Sequence, residues 1–256
     1  MDTSMKRMVG TAELKVGHML FEFMTPNIGN LLRGAGADFG IIDMEHNGLG
    51  FETLATTIRY LHAAGLPAVS RIATREPIDV ARALDVGADC VMVPLVSSVE
   101  QARRLIDALK YFPAGKRGIA LPPLQRYAPR PMHEAMIAAN NDTALFVQIE
   151  NAVGVSCVDE LASLEAVDCL WVGHADLSSD LGIPGQFDHP RFQEAEAAVI
   201  AAAKNHGKSL GRLSHLVDEG EALYRKGYDM IAFSNDLKLM ETALKAGSDA
   251  LRARCA

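Results

Sequence analysis

The feature that most limits what this chain can fold into is a set of eight short apolar runs spread along its length: GHMLFEF, FGIIDM, LPAVSRI, CVMVPLV, ALFVQIE, CLWVG, KSLGRL and DMIAFS. Several are nearly continuous in Ile, Val, Leu and Phe. A strand with one face in water alternates apolar and polar residues. A continuous run therefore marks a strand covered on both faces, as in a parallel sheet flanked by helices. Amphipathic stretches fill the intervals, and Gly36, Gly65, Gly87, Gly207 and Gly227 each stand just before an apolar run. That placement suits the left-handed residue that ends a helix, so the repeating unit is helix, glycine stop, strand.

Eight such units in 256 residues, with no linker-like shift in composition, predict one (β/α)8 TIM barrel over residues 1–256. An open doubly wound sheet is the competing architecture. It favours fewer strands and a glycine-rich turn after the first, where this chain reads FMTPNIGN without GxGxxG. One connection stands apart: about 111–143, after the fourth strand, is dense in proline and arginine (YFPAGKRGIALPPLQRYAPRPMHEAM). Long loops in compact domains are commonly functional, and this one is expected over the barrel mouth, with a plain surface excursion as the alternative.

Composition narrows the function classes. With 25 basic and 32 acidic side chains, a net charge of −7, the chain lacks the basic field that reading nucleic acid requires. No stretch is long enough to span a membrane, and no apolar segment follows the basic residues of MDTSMKRMVGTAELK, so neither membrane insertion nor export is signalled. Cys90, Cys157, Cys169 and Cys255 show no CxxC spacing, which suits reduced thiols in a cytoplasmic protein.

Barrel sites are built where strands end, so the polar residues that close each run are the candidates: Asp43, Glu45 and His46; Arg71; Gln148 and Glu150; His174, Ala175 and Asp176; Arg212 and Ser214; Ser234, Asn235 and Asp236. All are expected to face one mouth. Glu150 and Asp176 close successive, hence neighbouring, strands. Two carboxylates without a nearby cysteine favour a hard divalent cation, Mg2+ or Mn2+. Taken singly, Glu150 suits an arginine pair and Asp176 a helix cap. His46 has carboxylates beside it that would raise its basicity, whereas His18, His62, His133, His189 and His206 read as solvated loop histidines. Arg71 suits either a substrate anion or developing enolate, or an ion pair with Asp43 or Glu45. The start of the helix in GHADLS offers the backbone N–H groups of Ala175 and Asp176 to a small carboxylate, as in a 2-oxo acid.

These blocks together resemble the HpcH/HpaI metal-dependent (class II) pyruvate aldolases. From about Asn27 to Arg252 the likeness is carried by FGIIDMEH, PAVSRI, ALDVGADCVMVPLV, PAGKRG, VQIE and VGHADLSSDLG, in family order and spacing. The resemblance implies that His46 is the base, working through a metal-bound water, with Asp43 as its carboxylate partner and Asp85 approaching from a neighbouring subunit. It implies Arg71 as enolate stabiliser and Glu150 and Asp176 as ligands of Mg2+, Mn2+ or Co2+. Gln148, Ala175 and Asp176 become substrate contacts. The reaction implied joins pyruvate or hydroxypyruvate enolate to an aldehyde, or cleaves the 4-hydroxy-2-oxo acid, in a hexamer (a trimer of dimers) exchanging C-terminal helices. Three places depart from the family: His174 replaces a usual proline, IALPP follows RG where a small polar residue is usual, and the seventh strand ends GRLSHL. These border the aldehyde side, where Arg212 and Arg126 are candidates for an acidic or polyhydroxylated tail. Two alternatives stay open: a lyase or decarboxylase on the same scaffold (oxaloacetate decarboxylase or citramalyl-type lyase), and a silent metabolite-binding barrel.

Overall fold

A computed structural model describes residues 4–124 and 128–255. Eight parallel strands, β1 Lys15–Leu20, β2 Phe39–Asp43, β3 Ala68–Arg71, β4 Cys90–Val93, β5 Ala144–Ile149, β6 Cys169–Val172, β7 Ser209–Ser214 and β8 Met230–Asn235, pair in sequence order, and β8 closes on β1. Each coincides with one of the eight apolar runs, so the barrel expectation holds and the open sheet does not. All five glycines before the strands have positive φ, and Gly227, at 109°, ends the helix Val217–Lys226 in the left-handed conformation that a side chain disfavours.

Alternation along each strand sorts the residues into two layers. Met19, Phe39, Ile41, Val69, Met92, Phe146, Trp171, Met230 and Ala232 fill the barrel, joined by Met5 from a short 3-10 turn, Met5–Arg7. Outward-facing residues such as Leu20, Ile42, Val91, Val147, Leu170 and Ile231 pack beneath the helices. Cys90 and Cys169 lie in the inner layer, where burial pushes both thiols up.

Four aspartates set the register at the end where the strands begin. Asp38, Asp89, Asp168 and Asp229 each stand one residue before an even-numbered strand. Their carboxylates accept from the backbone N–H of Val16, Ala68, Leu145 and Leu210 at 2.8–2.9 Å. In return each aspartate donates its own N–H to the carbonyl of the same residue, at 2.8–3.2 Å. The pattern reads GAD, GAD, AVD and GYD in the sequence, one aspartate just ahead of every second strand.

The long connection lies at the other pole from the one expected. The helix Val99–Leu109 follows β4 and returns the chain to the end where strands start, so the excursion leaves from that helix and enters β5 at its beginning. There Lys110 donates to the carbonyls of Asn140 and Thr143. Most of the segment's second half is the helix Met132–Asp142, and Arg126 lies outside the described residues. PAGKRG and IALPP therefore sit far from this chain's own mouth. No helix among the described residues is long and apolar enough to cross a membrane.

Candidate active site

The strand ends bring Asp43, Arg71, Gln148 and Glu150 together as buried polar groups at one mouth. Asp43 and Arg71 are register partners on β2 and β3, and the Arg71 Nε donates to Asp43 Oδ1 at 2.7 Å. A second guanidinium nitrogen lies 3.3 Å from Glu45 Oε2, and Phe21 lies beneath the guanidinium, 5.9 Å away. Of the two readings of Arg71, the ion pair is present. It also presents the guanidinium to the mouth already oriented.

Asp43 acts on His46 through the backbone. Its carboxylate accepts from the N–H of Glu45 at 2.9 Å and of His46 at 3.3 Å, fixing the turn after β2. The imidazole itself faces Glu45, with Nε2 3.6 Å from Oε2, and is 55% exposed to the mouth. Asp85, named only by resemblance, lies at the end of the helix Pro77–Asp85, bonded to Arg117 at 2.6 Å.

Glu150 has no arginine partner of its own. It accepts from the N–H of Leu95 at 3.0 Å and from the side-chain amide of Gln148. Gly173 makes room for it: a Cβ there would lie 2.7 Å from the Glu150 carboxyl carbon. Burial, then the charges of Glu45 and Asp176, raise its carboxyl to about 7, against the pull of the Leu95 bond and of Arg71. Glu45 is raised as well, first by burial. Asp176 is exposed in the first turn of the helix His174–Asp180, alongside Ala175, and that helix has no side-chain cap. Of the two roles read for Asp176, the cap is therefore absent.

Among the described residues no three His, Cys, Asp or Glu side chains form a ready-made metal cage. The donor chemistry nevertheless fits a hard cation. Glu45 and Glu150 are both raised, first by burial and also by neighbouring carboxylates, beside a single arginine, and the buried Glu45 Oε2 and Gln148 Oε1 have no hydrogen-bond partner. Mg2+ is commonly held by one or two carboxylates, with water and substrate completing its shell.

Several expected mouth residues point elsewhere. Arg212 is 4% exposed and faces outward from β7, bonded to Glu196 at 2.9 Å and Glu219 at 3.3 Å and lying over Phe187 and Phe192. An expected tail-binding residue is thus a buried structural cation, because residue 212 has the outward parity. Ser214 shares that parity and bonds Glu219 at 2.8 Å. His174 packs edge-on against Phe187, and burial pushes its imidazole down to about 4. Asp236 accepts from the N–H groups of Phe21, Glu22 and Phe23, tying β8 to the loop after β1. Nor is every other histidine a solvated loop residue. His18 is buried with Nδ1 2.9 Å from the Phe233 carbonyl, His62 bonds Asp89 at 2.7 Å, His206 bonds Asp159 at 3.1 Å, and His189 caps the helix Pro190–Asn205. His215, which the sequence reading passed over, lies at the rim with its Nδ1 3.1 Å from Ser234 Oγ.

The eight-stranded parallel barrel gathers a histidine, an arginine and carboxylates at its mouth, and its aldolase relatives place the chain among the carbon–carbon lyases. The chain belongs to the HpcH/HpaI aldolase/citrate lyase family, whose pattern matches residues 20–243. It is 32% identical over 219 residues to the 5-keto-4-deoxy-D-glucarate aldolase of Klebsiella pneumoniae, covering 85% of each chain. It is also 32% identical to the 2-dehydro-3,6-dideoxy-6-sulfogluconate aldolase of Pseudomonas putida, covering 80% of each. The crystal structure of an HpcH/HpaI aldolase from Desulfitobacterium hafniense superposes with a TM-score of 0.92 at 28% identity, covering 98% of this chain and 97% of that one.

Proposed function

We propose that this chain is a divalent-metal-dependent aldolase that forms and cleaves 4-hydroxy-2-oxo acids, with pyruvate or hydroxypyruvate as the enolate donor. The observation that carries the reading is Glu150: a buried carboxylate at a strand end, raised to about 7 beside two other acids, in an aldolase/citrate lyase family and with aldolases among its relatives. Glu150 and Asp176 would hold Mg2+, Mn2+ or Co2+. Such a cation, when bound, would supply Lewis-acid stabilisation to the enolate.

This chain's own residues do the rest. The exposed His46 ring takes the 4-hydroxyl proton in cleavage and returns it in synthesis. Asp43 is a positioning residue, holding the His46 backbone. Arg71 donates to the oxygen that gains negative charge, at no reorganisation cost because Asp43 and Glu45 already orient it. Gln148, through its unpartnered carbonyl or its amide, and the N–H groups of Ala175 and Asp176 contact the oxo-acid end. The glucarate and sulfogluconate names of its relatives support an aldehyde with a polar far end.

The same reading makes the protein a cytoplasmic homohexamer, a trimer of dimers in which the partner subunit's Asp85 approaches His46. Supporting this, the C-terminal helix Asp236–Cys255 leaves Leu237, Leu239, Met240, Leu244 and Leu251 exposed, an apolar surface suited to exchange between barrels. Light scattering after size exclusion should give a hexamer, and a monomeric mass would refute it. For the chemistry, the methyl protons of pyruvate should exchange in D2O with Mn2+ or Mg2+, stop with EDTA and resume on adding excess metal. Inactivation by borohydride in the presence of pyruvate would instead indicate a Schiff base and overturn the scheme.

A further inference from the structure

Among the described residues only two that are not glycine have positive φ, Leu95 at 52° and Ser234 at 57°. Such backbones cost of order 1 kcal/mol or more and collect at functional sites. Leu95 fits that pattern, since its N–H goes to Glu150. Ser234 sits at the matching end of β8, inside a bulge where the pairing with β1 slips between Gly17 and Met19. It is 1% exposed, and its hydroxyl lies 3.1 Å from His215 Nδ1.

His215 follows the last residue of β7. Gly211 packs against Trp171 inside the barrel and Leu213 packs on the inner layer, so residue 215 continues the inward parity while Arg212 and Ser214 take the outward one. With Arg212 enclosed, His215 is the exposed polar side chain that the β7 and β8 ends offer to the mouth, across the barrel from Arg71 and two strands from Glu150. Its Nδ1 is engaged by Ser234, which leaves Nε2 for a ligand.

We infer that His215, held by the Ser234 hydroxyl, is the specificity-determining residue that reads the far end of the acceptor aldehyde, donating Nε2–H to an oxygen carried there, a hydroxyl or a carboxylate. Ser234 is the positioning residue: its hydroxyl donates to Nδ1 and so places the ring proton on Nε2. The inference rests on the aldolase reading above and names the part of that site which selects the acceptor.

The test compares three four-carbon acceptors with pyruvate: succinic semialdehyde, 4-hydroxybutanal and butanal. A site built to bond an oxygen discriminates strongly against an analogue lacking it. In His215→Ala the kcat/KM ratio of the oxygen-bearing acceptors to butanal should fall about tenfold or more, expressed mainly in KM. His215→Gln, which retains an N–H donor, should recover part of that ratio. Ser234→Gly removes the hydroxyl without straining the backbone and should lower the ratio in the same direction. Loss with succinic semialdehyde alone identifies a carboxylate as the ligand, and loss with both oxygenated acceptors a generic oxygen. An unaltered ratio in His215→Ala, or equal loss on all three aldehydes, overturns the inference. Absence of pyruvate exchange in the unsubstituted protein would overturn the aldolase reading as well, so the two failures are told apart.

Discussion

Gly173→Ala tests whether the Glu150 carboxylate is the centre of the site. A Cβ at 173 would stand 2.5 Å from Glu150 Cγ and 2.7 Å from Cδ. Ordinary van der Waals contact begins near 3.4 Å, so the carboxyl carbon must retreat by about 0.7 Å. Glu150 has little freedom to do so, since Leu95 and Gln148 hold both its oxygens and Leu95 is itself in a strained backbone. Losing the charge-assisted Leu95 bond alone is worth about 1.5–3 kcal/mol, roughly 10- to 100-fold in whatever equilibrium depends on that geometry. The expected result is a Mn2+ affinity weakened by about that factor in isothermal titration, with pyruvate exchange falling in parallel. Thermal unfolding of the variant should stay cooperative, because the displaced carboxylate lies at the strand ends and is no part of the apolar barrel interior. A Gly173→Ala protein that binds Mn2+ and exchanges pyruvate within about threefold of the parent would refute the placement of Glu150 in the site.

Two further outcomes follow from the same geometry. Glu150 is raised from the ordinary 4.5 to about 7, so below that pH it carries a proton that a cation must displace. Mn2+ measured by electron paramagnetic resonance should therefore bind about tenfold more weakly at pH 6 than at pH 8, and pH-independent binding would count against Glu150 as a ligand. Arg212→Met removes one partner of a buried ion pair and should cost about 3 kcal/mol in denaturant unfolding, while KM values for acidic aldehydes hold within about twofold. A selective rise in those KM values at unchanged stability would restore Arg212 as a tail-binding residue.

The barrel was legible because parallel strands buried on both faces produce continuous apolar runs, and CVMV and CLWV admit little else. The excursion near 111–143 lies at the pole opposite the one expected from its order after the fourth strand, because VEQARRLIDAL, the helix between them, carries the chain across. Arg212 and His18 differ from expectation for a related reason: closing or occupying an apolar run does not say which face a residue takes, and both lie one residue out of step with Leu213 and Met19. The Asp43–Arg71 pair was among the readings because the two residues end adjacent strands. That Asp43 grips the His46 backbone and not its ring is a matter of turn geometry that residue spacing leaves undetermined. Ser234 and His215 carried only a weak signal, a histidine and a serine at strand ends where the other residues had outward partners.

The four aspartates at the base of the barrel divide it unevenly. Each binds a strand to the one before it by a reciprocal pair of bonds, joining β1 to β2, β3 to β4, β5 to β6 and β7 to β8, whereas the alternate seams have no aspartate in that role among the described residues. The barrel is thus a ring of four two-stranded quarters. The mouth residues cross the alternate seams: Asp43 meets Arg71 from β2 to β3, and Glu150 reaches Leu95 from β5 to the loop after β4. The polar groups of the mouth thus tie together, at the strand ends, two of the very seams that the aspartates leave untied at the strand starts.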